Sequence, residues 1–127
     1  MTGREGRMIR GVKFASVPVN DQDAALAFYT EKLGFRVLTD QPFDGKQRWL
    51  ELGISGADTR LVLFRYDGGP KPGMQMNVTF WADDVEATVR ELRQKGVEFT
   101  MGPQKADWGT AAMFKDPDGN TFLLSSK

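Results

Sequence analysis

The stretch Phe114-Lys-Asp-Pro-Asp-Gly-Asn120 is the most distinctive part of the chain, because it places turn residues between two strand-like segments. Asp and Asn side chains hydrogen-bond to the backbone of a turn, Pro fixes one backbone dihedral angle, and Gly adopts a positive φ without steric cost. Residues 108–115 before this stretch and 121–125 after it are predicted strands. We interpret the Asp and Asn residues as turn formers, and a role in a binding site is the alternative.

Upstream of this turn, the chain is predicted to repeat one pattern of a strand, a helix and three further strands. In the first half, Asn20-Asp21 supplies capping side chains, apolar residues follow at helical spacing, and Gly34 ends the helix. In the second half, Asp83 and Glu86 form a predicted capping box, and Gly96 ends the helix. The predicted elements are strands at 11–19, 35–39, 47–53 and 60–66 with a helix at 21–33, then strands at 75–82, 97–100, 108–115 and 121–125.

The two halves are separated by Asp67-Gly-Gly-Pro-Lys-Pro-Gly73, whose Pro and Gly content is typical of a linker. A half of this length buries too little surface to be stable alone, so the halves are expected to pack into one α+β unit. The predicted organisation is a flexible leader at 1–8 and a single domain at 9–127, with modules at about 9–66 and 75–126 and a linker at 67–74.

Composition excludes several kinds of chemistry. The chain of 127 residues contains no His and no Cys, which rules out a histidine base, a cysteine nucleophile, a disulfide and any metal site with His or Cys ligands. Lys plus Arg and Asp plus Glu both number 17, so the chain lacks the basic excess that is typical of nucleic-acid binding. No apolar segment is long enough for a membrane span or a secretion signal. A cytoplasmic protein without nucleic-acid or membrane partners is therefore expected.

In their order and spacing, these motifs resemble the vicinal oxygen chelate superfamily, which includes glyoxalase I, extradiol dioxygenases, fosfomycin resistance enzymes and bleomycin resistance proteins. The resemblance covers about residues 9–126. It implies two βαβββ modules that form a curved, mostly antiparallel half-barrel sheet around a cavity, with the helices outside, and a homodimer. The motifs that carry it are Val19-Asn-Asp-Gln-Asp-Ala-Ala-Leu-Ala-Phe-Tyr29, Leu33-Gly-Phe35, Asp83-Asp-Val-Glu-Ala87, Lys95-Gly-Val97 and the turn at 114–120.

Metalloenzymes of this superfamily carry their metal ligands on cavity-facing strands, so the resemblance allows those positions to be compared. The corresponding positions in this chain are Phe14, Asn77 and Leu123, and a fourth falls near Leu61 or Leu63. A phenyl ring offers no lone pair to a hard cation, and a single amide oxygen does not offset the dehydration of the ion. We therefore expect no metal and no other cofactor at the family site.

Strand alternation predicts which other side chains face the cavity, because residues two apart along a strand share a face. Leu50 and Leu52 are expected to pack under a helix, which turns Trp49 and Glu51 toward the cavity. An apolar lining with few polar groups is typical of small-molecule sites. The predicted ligand-binding residues are Phe14, Ser16, Trp49, Glu51, Asn77, Thr79, Trp81, Trp108, Met113 and Leu123, with Phe43 as a further candidate.

The resulting hypothesis is a metal-free binding protein of the bleomycin-resistance type. It holds an aromatic or cationic small molecule, such as an antibiotic, by stacking and cation–π contacts. The alternative is a lyase, isomerase or dioxygenase with a non-standard metal site or with Glu51 as the base, and Glu51 is the one catalytic candidate. Glu51 can instead form an ion pair with Arg48 or Arg60. A third hypothesis is a partner-binding module whose cavity is filled by its own side chains.

Overall fold

The computed structural model describes residues 8–127, and each half of the chain folds as a strand, a helix and three strands. The predicted α+β class and its βαβββ repeat are therefore confirmed. Residues 1–7 of the predicted leader lie outside the described residues. The first half comprises β1 (Phe14–Pro18), α1 (Gln22–Ala27) with a π-helical turn (Phe28–Lys32), β2 (Arg36–Pro42), β3 (Arg48–Gly53) and β4 (Arg60–Phe64). The second half comprises β5 (Gln75–Trp81), α2 (Val85–Gln94), β6 (Phe99–Ala106), β7 (Gly109–Lys115) and β8 (Thr121–Ser125).

Each half forms its own four-stranded sheet. The strand order is β1-β4-β3-β2 in the first sheet and β5-β8-β7-β6 in the second. In both sheets the first and last strands of the half pair in parallel, and the other pairs are antiparallel. The sheets are thus mostly antiparallel, as expected. No helix within residues 8–127 has the length and apolar character needed to cross a membrane.

Both helices begin at an aspartate whose carboxylate caps the first backbone N–H groups. Asp21 Oδ1 accepts hydrogen bonds from two of these groups, at 3.0 and 3.1 Å. In the second half the cap is Asp84, because its Oδ1 accepts a hydrogen bond from the N–H of Ala87 at 3.0 Å. The predicted capping box at Asp83 is therefore wrong by one residue.

The strand with the largest difference from its predicted range is β6. It was expected at 97–100 and instead runs over Phe99–Ala106, through Pro103. Proline is tolerated on an edge strand, where no partner needs its missing N–H, and the register with β7 shifts on both sides of Met101. The predicted helix at 21–33 is confirmed as α1 with its π-helical turn.

The helix-facing sides of both sheets pack into one hydrophobic core. Tyr29, in the π-helical turn, is completely buried there and contacts Phe35 and Phe122. Leu50 and Leu52 are also completely buried in this core, as predicted. Because alternate residues of a strand point to opposite sides, the other face of each sheet is directed away from the core.

The turn at 114–120 connects the second module to the first. The hydroxyl of Tyr29 donates a hydrogen bond of 2.7 Å to Asp116 Oδ2. Asn120 Nδ2 donates to the same oxygen and to the carbonyl oxygen of Pro18 in β1, both at 2.9 Å. We call Asp116, Asp118 and Asn120 the turn cluster. Its residues form the turn, as predicted, and they also bond across to the first module, which the turn pattern does not predict.

Burial, with the charge of Asp116 as the second cause, raises the pKa of Tyr29 above its ordinary value. The hydroxyl therefore stays protonated and acts as a donor. We expect Tyr29→Phe to lower the free energy of unfolding by about 1.5–3 kcal/mol, the range for a hydrogen bond to a charged group. Urea denaturation followed by far-UV circular dichroism measures this loss.

The matched control is Tyr66→Phe, which removes a 2.7 Å hydrogen bond from Tyr66 to the Ser16 hydroxyl within the first module. This half-buried bond joins neutral groups, so its loss is expected to cost about 0.5–1.5 kcal/mol. Equal losses of unfolding free energy in the two variants would contradict the role of Tyr29 in joining the two modules.

Asp118 lies on the outer side of the turn cluster. Its Oδ1 accepts a hydrogen bond from the N–H of Asn20 at 2.8 Å, whereas its Oδ2 is buried and has no hydrogen-bond partner within residues 8–127. Burial raises the pKa of this carboxyl above its ordinary value. The charges of Asp116 and Asp21 add to the rise, and the N–H of Asn20 opposes it.

Because its pKa is raised in the folded chain, the carboxyl of Asp118 lowers stability as the pH rises through that pKa. Asp118→Asn keeps an acceptor for Asn20 and removes the charge. We expect the variant to be more stable than the parent at pH 7 by less than about 1 kcal/mol, since solvent screens the group. The gain should shrink as the pH falls toward about 3.9, the ordinary Asp pKa. Thermal melts at both pH values test this, and a gain independent of pH would contradict it.

Candidate functional site

One side of the first sheet carries a continuous cluster of aromatic side chains. Phe14, Trp49 and Phe64 alternate along β1, β3 and β4 with residues of the core, so they lie on the opposite face of the sheet. Phe43 follows β2, Tyr66 follows β4, and both contact this group. We define the aromatic face as Phe14, Phe43, Trp49, Phe64 and Tyr66.

Four neighbouring pairs of rings in the aromatic face have edge-to-face geometry, which aromatic pairs prefer, and the rings of Phe43 and Trp49 are tilted by 30°. The ring centroids of Phe14 and Trp49 are 5.6 Å apart, and those of Trp49 and Phe64 are 5.3 Å apart. Phe64 lies 5.0 Å from Phe43 and 5.1 Å from Tyr66. Phe43 is 58% exposed, so the cluster is open to solvent on that side. The aromatic face is therefore a rigid apolar surface with an accessible ring.

Glu51 lies beside the aromatic face and is only 8% exposed. The indole N–H of Trp49 donates to its Oε2 at 3.0 Å, and the guanidinium of Arg60 lies 3.4 Å from its Oε1. Of the two predicted ion-pair partners, Arg60 is thus the one observed, and Arg48 instead pairs with Asp23 and Asp40. Both oxygens of Glu51 are already engaged.

A buried glutamine holds the strands that carry the aromatic face. Gln22 Nε2 donates to the carbonyl oxygens of Arg48 and Leu63, at 2.7 and 3.0 Å, and its Oε1 accepts from the N–H of Arg48 at 3.0 Å. Arg48 and Leu63 immediately precede Trp49 and Phe64 in the chain. The first turn of α1 therefore fixes the positions of two rings of the aromatic face.

The predicted site residues of the second half lie on the second sheet. Thr79 of β5 is in register with Leu123 of β8, which is in register with Met113 of β7. Asn77 and Trp81 share the face of Thr79, since they are two residues away along β5. Asn77, Thr79 and Trp81 are exposed, and Met113 and Leu123 are half-buried.

The structure therefore divides the predicted site residues. Phe14, Ser16, Trp49 and Glu51 belong to the first sheet, and the residues on β5, β7 and β8 belong to the second. Within residues 8–127, no hydrogen bond or aromatic contact joins the two groups. Trp108 lies in the tight turn between β6 and β7, is 64% exposed, and belongs to neither group.

The positions where the family places metal ligands do not fit a metal. Phe14 packs edge-on against Trp49, and Leu123 has no donor atom. Leu61 and Leu63, the two leucines near the fourth position, are buried in the shared core. The outer face of the sheet instead carries the residue between them. Within residues 8–127, no three His, Cys, Asp or Glu side chains form a group that could hold a metal.

A concave region lies beside β5. It is an open cleft of about 820 Å³, and its apolar lining includes Phe35, Val78 and Phe80. The loop between β3 and β4 forms another part of its wall. Among the predicted site residues, only Thr79 and Trp81 line this cleft. The cleft is therefore distinct from the aromatic face.

Sequence reasoning missed Phe64 and Tyr66 as members of the aromatic face. A signal for Phe64 is present, because Arg60, Val62 and Phe64 alternate with Leu61 and Leu63 in β4. Tyr66 lies beyond the end of β4, where strand periodicity carries no information.

Comparison with known proteins places the chain in one family. A family model described as the Glyoxalase/Bleomycin resistance protein/Dioxygenase superfamily matches residues 11–124. The chain belongs to this superfamily. The uncharacterized protein YetH of Bacillus subtilis (strain 168) is 38% identical to it over 120 residues, which are 92% of this chain and 98% of YetH.

Two similar crystal structures have the same fold. TnmS3, an antibiotic binding protein from Streptomyces sp. CB03234, is 41% identical with a TM-score of 0.84, and the match covers 94% of this chain and 97% of TnmS3. A superfamily member from Sphaerobacter thermophilus DSM 20745 is 35% identical with a TM-score of 0.87, over 94% of this chain and 99% of that one.

Proposed function

We propose that this chain is a metal-free small-molecule binding protein of the bleomycin-resistance type. In this proposal the ligand is an aromatic or cationic molecule, such as an antibiotic, and it binds against the aromatic face. The observation that carries the proposal is the aromatic face itself, with five rings in contact and the ring of Phe43 open to solvent. Stacking on such a ring is worth about 0.5–1.5 kcal/mol beyond the burial of apolar area.

The charged groups beside the aromatic face indicate how a cationic ligand would bind there. Glu51 is bonded to Trp49 and Arg60, so each of its oxygens has a partner and the guanidinium already balances its charge. Rings rather than this carboxylate would therefore attract a cationic ligand. The same bonds give no support to Glu51 as a catalytic base. Binding without catalysis is the function that the geometry supports best.

Similarity to TnmS3 supports the same proposal. TnmS3 is an antibiotic binding protein, and its match extends over nearly the whole of both chains. The identity of 41% is spread over a fold that superposes with a TM-score of 0.84. A chain without cysteine needs no oxidising compartment, so the proposal places this protein in the cytoplasm.

The proposal includes a homodimer. Met8, Ile9 and Val12 before β1 and Trp81 at the end of β5 are exposed apolar side chains, with exposed fractions between 56% and 96%. In this proposal these side chains contribute to one contact surface, since a contiguous exposed apolar patch is typical of interaction surfaces. The outer face of the second sheet would then be available to complete a site with the partner's aromatic face. Light scattering of the purified chain measures the oligomeric state.

Two planar dyes of opposite charge test the binding site, the cationic dye proflavine and the anionic dye pyrenesulfonate. We expect at least one of them to quench tryptophan fluorescence, and Trp49→Ala to weaken its binding by roughly tenfold, which corresponds to 1.4 kcal/mol. EDTA should leave the affinity unchanged, because the site needs no metal.

The matched control is Trp108→Ala, which removes an equally large ring from an exposed turn outside the aromatic face. This variant should bind the dye as the parent does. Failure of both dyes to bind, equal loss in the two variants, or loss of binding in EDTA would each contradict the proposal.

A further inference from the structure

Arg60 is the exposed member of the ion pair beside the aromatic face. It begins β4 and alternates with Leu61, which is buried in the core, so its side chain lies on the outer face of the first sheet. The side chain of Arg60 is 43% exposed, whereas that of Glu51 is 10% exposed. A ligand on this face therefore meets the guanidinium rather than the carboxylate.

The ion pair with Glu51 uses little of the hydrogen-bonding capacity of Arg60. A guanidinium carries five N–H donors in one plane. Within residues 8–127, the guanidinium of Arg60 donates one hydrogen bond, from Nη1 to Glu51 Oε1 at 3.4 Å. That is longer than the distance of about 2.7–2.9 Å that is usual for such a charge-assisted bond. The other donors have no acceptor in this part of the chain, so they are open to a ligand.

The guanidinium lies next to the rings on which the ligand is proposed to stack. The indole N–H of Trp49 donates to Glu51 Oε2 at 3.0 Å, so a single carboxylate separates the edge of the indole from the guanidinium. Phe14, whose ring contacts Trp49, is the register partner of Arg60 in the neighbouring strand. A planar molecule that stacks on these rings would therefore bring a substituent within reach of the guanidinium.

We infer that Arg60 is a specificity-determining residue of the aromatic face, and that it selects a planar aromatic ligand with an anionic oxygen group such as a carboxylate. The guanidinium donates to the oxygens of this group, which the planar fork of an arginine matches. Glu51 holds one edge of the guanidinium. The inference rests on the proposed function and narrows the aromatic or cationic ligand of that proposal to an aromatic anion.

Two probes with the same ring and opposite charge test the inference, 1-pyrenecarboxylate and 1-pyrenemethylammonium. We expect the parent chain to bind the carboxylate at least about tenfold more tightly, because a hydrogen bond to a charged group is worth a factor of that size. Arg60→Gln should abolish this preference by weakening the carboxylate, and the ammonium probe should bind as tightly as before or more tightly. Quenching of tryptophan fluorescence measures both affinities.

The matched control is Arg90→Gln, which removes the same charge from an exposed position of α2 in the second module. It changes the net charge of the chain as Arg60→Gln does, but far along the chain from the aromatic face. This variant should keep the affinity of the parent for both probes.

Glu51→Gln separates a role of Arg60 in binding from a role of the ion pair in the structure. The glutamine keeps an acceptor for the indole N–H of Trp49 and removes the charge that opposes an anionic ligand. We expect this variant to bind the carboxylate probe at least about threefold more tightly than the parent. If the ion pair only held the strands in place, both single substitutions would weaken binding.

The double variant Arg60→Gln, Glu51→Gln provides the test if Arg60→Gln alone is unstable. It leaves no buried carboxylate without its cation, which is the costly consequence of removing one partner of an ion pair. We expect the double variant to bind the two pyrene probes without a preference for the carboxylate.

The possible failures are distinguishable. Failure of both pyrene probes to bind the parent would overturn the inference and the proposed site together. Equal affinity of the parent for the two probes, a carboxylate preference that persists in the double variant, or an equal loss in Arg90→Gln would overturn the inference alone. Weaker binding of the carboxylate in Glu51→Gln would also overturn it, because the ion pair would then act through the structure of the face.

Discussion

The hydrogen bond from the buried hydroxyl of Tyr29 to Asp116 is the contact on which the common fold of the two modules depends. It connects the helix of the first module to the last turn of the second, and Asn120 adds a bond to Pro18 in β1. If the two groups separated, the buried hydroxyl of Tyr29 would lose its partner, and Asp116 Oδ2 would keep only the bond from Asn120. An unpartnered buried hydroxyl makes the contact costly to break. The shared hydrophobic core surrounds this contact, since Tyr29 is completely buried in it.

This arrangement determines what the outer faces of the sheets can do. Because the helix-facing sides of both sheets are buried in one core, the aromatic face and the face that carries Asn77 point away from that core. The chain can then use these faces for a ligand or for another copy of itself. The aromatic face is held rigid by Gln22, which hydrogen-bonds to the backbone of the strands that carry it, and by contacts between its own rings. Rigidity of this kind lowers the conformational entropy that the protein's own side chains lose when a ligand binds.

Local patterns predict most of the elements and three of the five rings of the aromatic face, Phe14, Phe43 and Trp49. Capping aspartates, glycines and the turn at 114–120 are short-range signals, so the βαβββ repeat could be predicted, and alternation placed Trp49 and Glu51 opposite Leu50 and Leu52. Alternation describes only one strand or sheet at a time. It therefore could not show that Trp49 and Trp81 lie on different sheets, nor that the turn cluster bonds to Tyr29, because those relations depend on how two distant segments pack.

The distance along the chain between the bonded groups has a consequence for how the protein is made. Tyr29 and Asp116 are separated by 87 positions, and Asn120 lies 102 positions after Pro18. During synthesis, the first module emerges long before the turn that completes its burial. The nascent first half therefore holds Tyr29 without its partner until the last two strands leave the ribosome, and contacts of such high sequence separation are the slow ones in folding. Emergence of the turn at 114–120 is thus the step that supplies the partners of Tyr29 and Pro18.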